Sequence, residues 1–247
     1  MKIYTDKTKR KEISSVEDWR QSCPPADPNR QWVDKYSAKE MAKFWTDNKN
    51  QNEFLLFLRS IKNSLIIEYA IPELANKFDD YKSPRKNDLC VFASQDNKEI
   101  FISIEGKSDE HFGGKYITEE WIESIHKKNH KDKSKKLDRI IGLYERYNCD
   151  SKVLKLRYQL VYWLAGAIDE AIRNKIHTVF LIVQEFHSDR TNEKKILKNQ
   201  NDLDSLISFL SNSAISSVNK NEIVGPINNH YTKQIDLYIG KFCTLIK

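Results

Sequence analysis

Hydrophobic positions along the chain recur with two periods, near 3.6 and near 2, and predict alternating helical and extended segments. From Ser37 the period is helical. Met41, Phe44 and Trp45 share a face, and Ser37 with Glu40 reads as a capping box at the start. A second helical run carries Phe54, Leu55, Leu58 and Ile61. Ser64–Ile71 is rich in β-branched and aromatic residues and stops at Pro72, so it predicts a strand; the polar residues 75–87, with Pro84, predict a loop. Asp88–Ser94 and Glu99–Glu105 predict two strands joined by a turn at Gln95–Lys98, with Ile100, Ile102 and Ile104 alternating with Phe101 and Ser103. Residues 106–136 are polar and charged, with Gly113 and Gly114 in the middle. Leu137, Ile140, Ile141 and Tyr144 mark a helix, and Val153–Arg173 a long one containing Leu156, Leu160, Trp163, Leu164, Ala167 and Ile168. His177–Phe186 is an apolar strand, Leu203–Leu210 a short helix, Glu222–Val224 a short strand and Gln234–Ile246 a closing strand.

The order helix, three strands, helix, strand predicts a mixed α/β domain. At 247 residues the chain suits one such domain. Residues 1–36 form an N-terminal arm, 37–190 the core, and 191–247 an extension ending in a strand. The arm has turn signals at Cys23-Pro24-Pro25 and Asp27-Pro28, flanked by Trp19 and Trp32. Exposed arms seldom carry two tryptophans, so this one is expected to pack on the core.

Composition narrows the function classes. Hydrophobic residues at 39% and charged residues at 31% describe a polar globular chain rather than a disordered one. No apolar run approaches the roughly 20 residues of a membrane span. Met1–Lys11 lacks the apolar centre of a secretory signal, so a cytoplasmic protein with no membrane partner is expected. Cys23, Cys90, Cys149 and Cys243 are far apart with no C-x-x-C pair, which predicts reduced thiols rather than a disulfide framework or a zinc site. Lys and Arg number 41 against 35 Asp and Glu; the net charge of +6 permits nucleic-acid binding without requiring it. The chain lacks a phosphate-binding P-loop, a G-x-G-x-x-G fingerprint, an H-E-x-x-H zinc motif and a G-x-S-x-G elbow.

The most informative residues are Asp88, Glu105 and Lys107. Residues two apart on a strand project to the same face, so Glu105 and Lys107 point together. If the strands pair through the Gln95–Lys98 turn, Asp88 lies opposite Glu105. Two close carboxylates repel, and a hard divalent cation such as Mg²⁺, or Mn²⁺ in its place, relieves the repulsion. Lys107 would orient or deprotonate a water, or stabilise developing charge. A surface hairpin with a cross-strand charge cluster would show the same short pattern.

This arrangement resembles the PD-(D/E)XK nuclease superfamily, which has the restriction-endonuclease-like fold. That core runs helix, three antiparallel strands, helix, strand, with a central mixed sheet flanked by helices. Its motif places an Asp at the start of the second strand and (Asp/Glu)-x-Lys on the third, here Asp88, Glu105 and Lys107. The superfamily often has Pro before the Asp, where this chain has Asn87. The segments Ser15–Trp19, Tyr36–Glu40, Asn87-Asp88, Ile104–Lys107 and Leu156–Leu160 also look like a largely uncharacterised bacterial group of nuclease-like proteins.

The resemblance implies a Mg²⁺-dependent nuclease acting on DNA in preference to RNA, endonuclease rather than exonuclease, in restriction, phage defence or repair. The alternative it leaves is a catalytically silent module of the same fold that binds nucleic acid or a protein. Asp88 and Glu105 would hold the metal and Lys107 would assist the attacking water. Some branches add a Glu from the first core helix, here Glu40, whose local reading is the capping box. Some carry Gln-x-x-x-Tyr on the helix after the third strand; here Gln159 is followed by Trp163. Gln159 would orient a water or a phosphate, and Arg157 would contact a phosphate. Asp109, Glu110 and His111 are candidates for the rim of the site. The stretch from His126 to Lys136 holds six lysines and one aspartate and suits a phosphate backbone, with Lys127, Lys128, Lys131, Lys135 and Lys136 as contacts. His126 and His130 have metal-ligand spacing but no evident third ligand. A homodimer, or a subunit of a larger system, is compatible with this reading.

Overall fold

The computed structural model describes residues 1–76, 79, 84–129 and 136–246, with the backbone alone for 127–129. The elements are β1 (Lys2–Tyr4), β2 (Glu12–Ile13), α1 (Val16–Ser22), α2 (Pro28–Gln31), α3 (Ser37–Trp45), α4 (Asn48–Arg59), β3 (Ile66–Asn76), β4 (Arg85–Gln95), β5 (Lys98–Lys107), α5 (Ile117–Asn129), α6 (Lys136–Arg146), α7 (Tyr158–Arg173), β6 (Thr178–His187), α8 (Glu193–Leu210), β7 (Glu222–Ile227) and β8 (Asp236–Leu245).

Among the described residues the strands form one eight-stranded mixed sheet in the order β2-β1-β3-β4-β5-β6-β8-β7. β3, β4 and β5 are antiparallel neighbours. β6 runs parallel to β5, and β8 parallel to β6. Parallel neighbours need long crossovers, and α5 to α7 and then α8 supply them on the same face. α1, α3 and α4 cover the opposite face. β6 is therefore covered on both sides, which is why Val179–Phe186 is buried throughout and Val179–Val183 reads as an unbroken apolar run.

One aromatic pin holds each layer. Trp163 of α7 donates its indole N–H to Ser103 Oγ at 2.7 Å, and Trp45 of α3 donates to Gln184 Oε1 at 2.8 Å. Each large ring is buried with its polar atom satisfied. The N-terminal segment joins the sheet through β1, which runs parallel to β3, and Trp19 is buried while Trp32 is half-buried. The C-terminal segment is part of the same sheet, since β8 lies between β6 and β7.

Several elements differ from expectation. β3 continues through Pro72 to Asn76, with Pro72 opposite Leu89. β1 pairs with β3 only at Tyr69 and Ala70, so in that pairing the missing proline N–H has no ladder partner to disappoint. β4 accordingly begins at Arg85 rather than Asp88. The polar stretch 106–136 contains α5, whose buried face carries Glu120 and Ser124 beside Ile117 and so hides the apolar period. Val153–Arg173 is not one helix. A 3-10 turn at Ser151–Lys155, capped by the Asp150 side chain, gives way to an extended Arg157 that bridges to Tyr116 before α7 starts at Tyr158. α8 begins at Glu193, well before Leu203, because its first turns are mostly solvent-facing and polar. No helix among the described residues is long and apolar enough to cross a membrane.

Candidate active site at the ends of β4 and β5

The β4–β5 ladder runs from the Gln95–Lys98 pair to Leu89–Ile104, and its next step places Asp88 beside Glu105. Asp88 Oδ2 accepts the Gly106 backbone N–H at 2.8 Å, which closes the end of the hairpin. β6 flanks β5 on its other side, so Glu105 and Lys107 are interior to the sheet and only 2% and 5% exposed. Both, with Asp88, line a cavity of about 480 Å³. Its wall also includes Gln159 from α7, Met41 from α3, Glu73 from β3, and Glu110 and His111 from the loop after β5. Met41 packs closely over Gly106: a Cβ there would come 2.8 Å from Met41 Cγ, so the Met41 side chain would have to shift to admit a larger residue.

Glu105 is the hub. Its Oε1 accepts from Lys107 Nζ at 2.9 Å and from Gln159 Nε2 at 2.5 Å, and its Oε2 accepts from the Arg85 guanidinium. The Gly113 N–H donates to Gln159 Oε1 and so fixes which end of the amide faces Glu105. Burial alone would raise the Glu105 carboxyl, but Lys107 and Arg85 outweigh it and hold it below its ordinary value. Among the described residues no charged side chain donates to Asp88, and the charges of Lys107 and Arg85 nearby only partly offset what raises it. Burial, then the charge of Glu105, push its carboxyl up to about 8. Burial would lower Lys107, but Glu105 and Asp88 reverse the sign and hold the ammonium above its ordinary value. Lys107 is thus a fixed cation. It can orient a water or stabilise negative charge, and it is badly placed to act as a base.

The donor set fits a hard divalent cation. Asp88 and Glu105 offer carboxylate oxygens into one cavity, and the repulsion that raises Asp88 is what a cation would relieve. Glu105 would share its oxygens between that cation and the side chains already bound to it.

The remaining sequence candidates fall in different places. Glu110 and His111 reach the cavity wall, whereas Asp109 turns to Lys195 Nζ at 2.9 Å. Glu40 is buried but is not part of the cavity wall. Its Oε1 accepts from the Lys35 N–H and from Lys43 Nζ, each at 2.8 Å. The capping box is absent, because Tyr36 rather than Ser37 is the extended residue preceding the helix. Arg157 also departs from expectation. It is 6% exposed and donates to Asp202 from Nε at 2.9 Å and from Nη2 at 3.3 Å, with Tyr116 under the guanidinium at 4.2 Å. Its burial and its carboxylate partner leave it no open approach for a phosphate. Lys136 is bound to Glu120 Oε2 at 2.5 Å. Lys127 and Lys128 lie on the last turn of α5, with His126 exposed just before them. The side chains of both lysines, and Lys131, Lys135 and His130 altogether, lie outside the described residues.

Two residues at the site, Arg85 bound to Glu105 and Glu73 in the cavity wall, were not candidates from sequence. Arg85 opens β4 in a stretch expected to be a loop. Glu73 follows Pro72, where β3 was expected to have ended; burial raises its carboxyl, and its charge is felt at Asp88. An acid or base near a proline is too common a pattern to have singled out either one.

Residues 12–245 match the model of a family described as a domain of unknown function, DUF6946, and the chain belongs to that family. No curated protein and no solved structure matches it.

Proposed function

We propose that the protein is a metal-dependent nuclease that hydrolyses phosphodiester bonds, with DNA favoured over RNA and internal cleavage favoured over cleavage from an end. The observation that carries this is the meeting of Asp88, Glu105, Lys107 and Gln159 in one cavity at the ends of two adjacent strands and a helix. The sheet order supports a restriction-endonuclease-like reading of the core: α3, then antiparallel β3–β4–β5, then α7, then β6 parallel to β5.

Asp88 and Glu105 would hold Mg²⁺, or Mn²⁺ in its place. A bound divalent cation supplies charge neutralisation at a phosphoryl oxygen and acidifies water. Lys107, held as an ammonium, orients the attacking water and offsets negative charge as it builds on the phosphate. Gln159 keeps Glu105 in place through its hydrogen bond at 2.5 Å. Arg85 holds the second Glu105 oxygen and, with Lys107, keeps that carboxylate ionised. A cytoplasmic role in restriction, phage defence or repair suits such an enzyme, as a homodimer or within a larger system.

One observation favours a second reading, a silent module that binds nucleic acid or a protein: both Glu105 oxygens already have side-chain donors. The test is cleavage and binding measured together on plasmid, linear duplex, single-stranded DNA and RNA, in Mg²⁺, Mn²⁺ and EDTA. The nuclease reading expects cleavage with metal only. Binding that ignores metal, with no cleavage of any substrate, would replace it with the silent module.

A further inference from the structure

One strand beyond that cavity, Glu185 and His187 of β6 and Cys243 of β8 bring three different donor types together. Glu185 and Cys243 are register partners across the parallel β6–β8 ladder, and His187 is two residues on, so all three project from the same sheet face. Their donor atoms all lie within 4.8 Å of one another. His187 Nε2 is 2.8 Å from Glu185 Oε2, and Cys243 Sγ is 3.7 Å from the same oxygen. A tetrahedral shell with bonds of 2.0–2.3 Å separates its ligands by roughly 3.3–3.8 Å. The cluster therefore needs little adjustment to close on a metal. Glu185 and Cys243 are buried, while His187 keeps 19% of its side chain exposed and marks the open side.

We propose that Glu185, His187 and Cys243 form a second metal site, for a borderline-soft divalent ion of the zinc type, distinct from the hard-cation site at Asp88 and Glu105. Thiolate and imidazole select such an ion over Mg²⁺. Three protein ligands leave a fourth position toward solvent on the His187 side. Lys241 Nζ is 3.1 Å from Glu185 Oε2 and 2.8 Å from Gln200 Oε1, so it retains the Gln200 acceptor when the metal takes the carboxylate. Binding releases the Cys243 thiol proton to solvent. The site would pin the end of β6 to β8 beside the strand that carries Lys107.

The probe is Co²⁺, titrated into the metal-free full-length protein and followed by thiolate-to-cobalt charge-transfer absorption. One equivalent should produce the band, and Zn²⁺ should displace it. Cys243→Ser should abolish it. His187→Ala, at a partly exposed position where folding is expected to survive, should weaken binding roughly tenfold or more. Asp88→Ala should leave the band unchanged, which separates this site from the proposed nuclease centre. No band in the wild type, a band that survives Cys243→Ser, or unchanged affinity in His187→Ala would each overturn the proposal.

Discussion

Arg85, half-buried, and Arg157, buried, are both bound to a buried carboxylate, and they differ in what surrounds the pair. Arg157 meets Asp202 one to one. Its guanidinium lies on Tyr116, whose hydroxyl also donates to Asp202 Oδ1 at 3.2 Å, and a third donor reaches Gly114 O at 3.3 Å. Donors and acceptors match there, and the result is a staple joining the start of α7 to α8. Arg85 shares Glu105 with Lys107 and Gln159, beside a second acid, Asp88, and the group opens into a cavity. There two acids and two cations share one cluster and perturb one another, as a site prepared for a ligand requires. Burial and ion pairing alone therefore do not distinguish machinery from scaffold; the mutual perturbation of the charges and the open wall do.

The sharpest contrast comes from removing one carboxylate from the open cluster. Asp88→Asn should lower metal-dependent cleavage by about 10³–10⁴-fold. Thermal unfolding of the same variant should show no loss of stability, because a buried carboxyl raised to about 8 is mostly neutral at pH 7. Arg157→Leu should do the reverse. Leaving Asp202 buried without its cation should cost about 3–5 kcal/mol in urea denaturation, while the folded fraction keeps its cleavage rate. A rate loss without a stability loss would move Arg157 into the binding machinery and undo the comparison.

Smaller effects sharpen it. Arg85→Ala removes a cation from Glu105 and should tighten Mg²⁺ binding by about tenfold in calorimetry, since a competing positive charge is gone. Weaker binding would make Arg85 a support for the metal site rather than a competitor. The smallest change is Trp163→Phe, which strands the Ser103 hydroxyl. It should cost about 1–2 kcal/mol of stability and leave cleavage unaltered.

The hairpin that carries the candidate site was legible in the sequence. A four-residue turn and the alternation of Ile100, Ile102 and Ile104 determine the register, and that register puts Asp88 next to Glu105. Gln159 was legible as a polar residue on a helix facing the sheet and, through the resemblance, as a group to orient a water or a phosphate; its bond to Glu105 was not. Arg157 and Arg85 were not separable, because the partner that decides the matter is remote: Asp202 for one, Glu105 for the other. Only the capping-box reading of Glu40 fails, since a capping box requires an extended residue at the cap and that residue is Tyr36. α5 was missed because Ile122 and Ile125 face solvent while Glu120 and Ser124 face inward, which inverts the usual pattern. The Glu185, His187 and Cys243 grouping depends on the parallel β6–β8 register, which no local spacing reveals.

The most direct test of the central claim is the conversion of supercoiled plasmid to nicked or linear product by the purified full-length protein. It would be measured in Mg²⁺ and in EDTA, beside Asp88→Asn that unfolds like the wild type. Product in Mg²⁺ alone, and none from the variant, is the predicted result. Plasmid left intact by the wild type, or cut equally well by Asp88→Asn, would contradict the assignment of the Asp88–Glu105–Lys107 cluster as a hydrolytic metal centre.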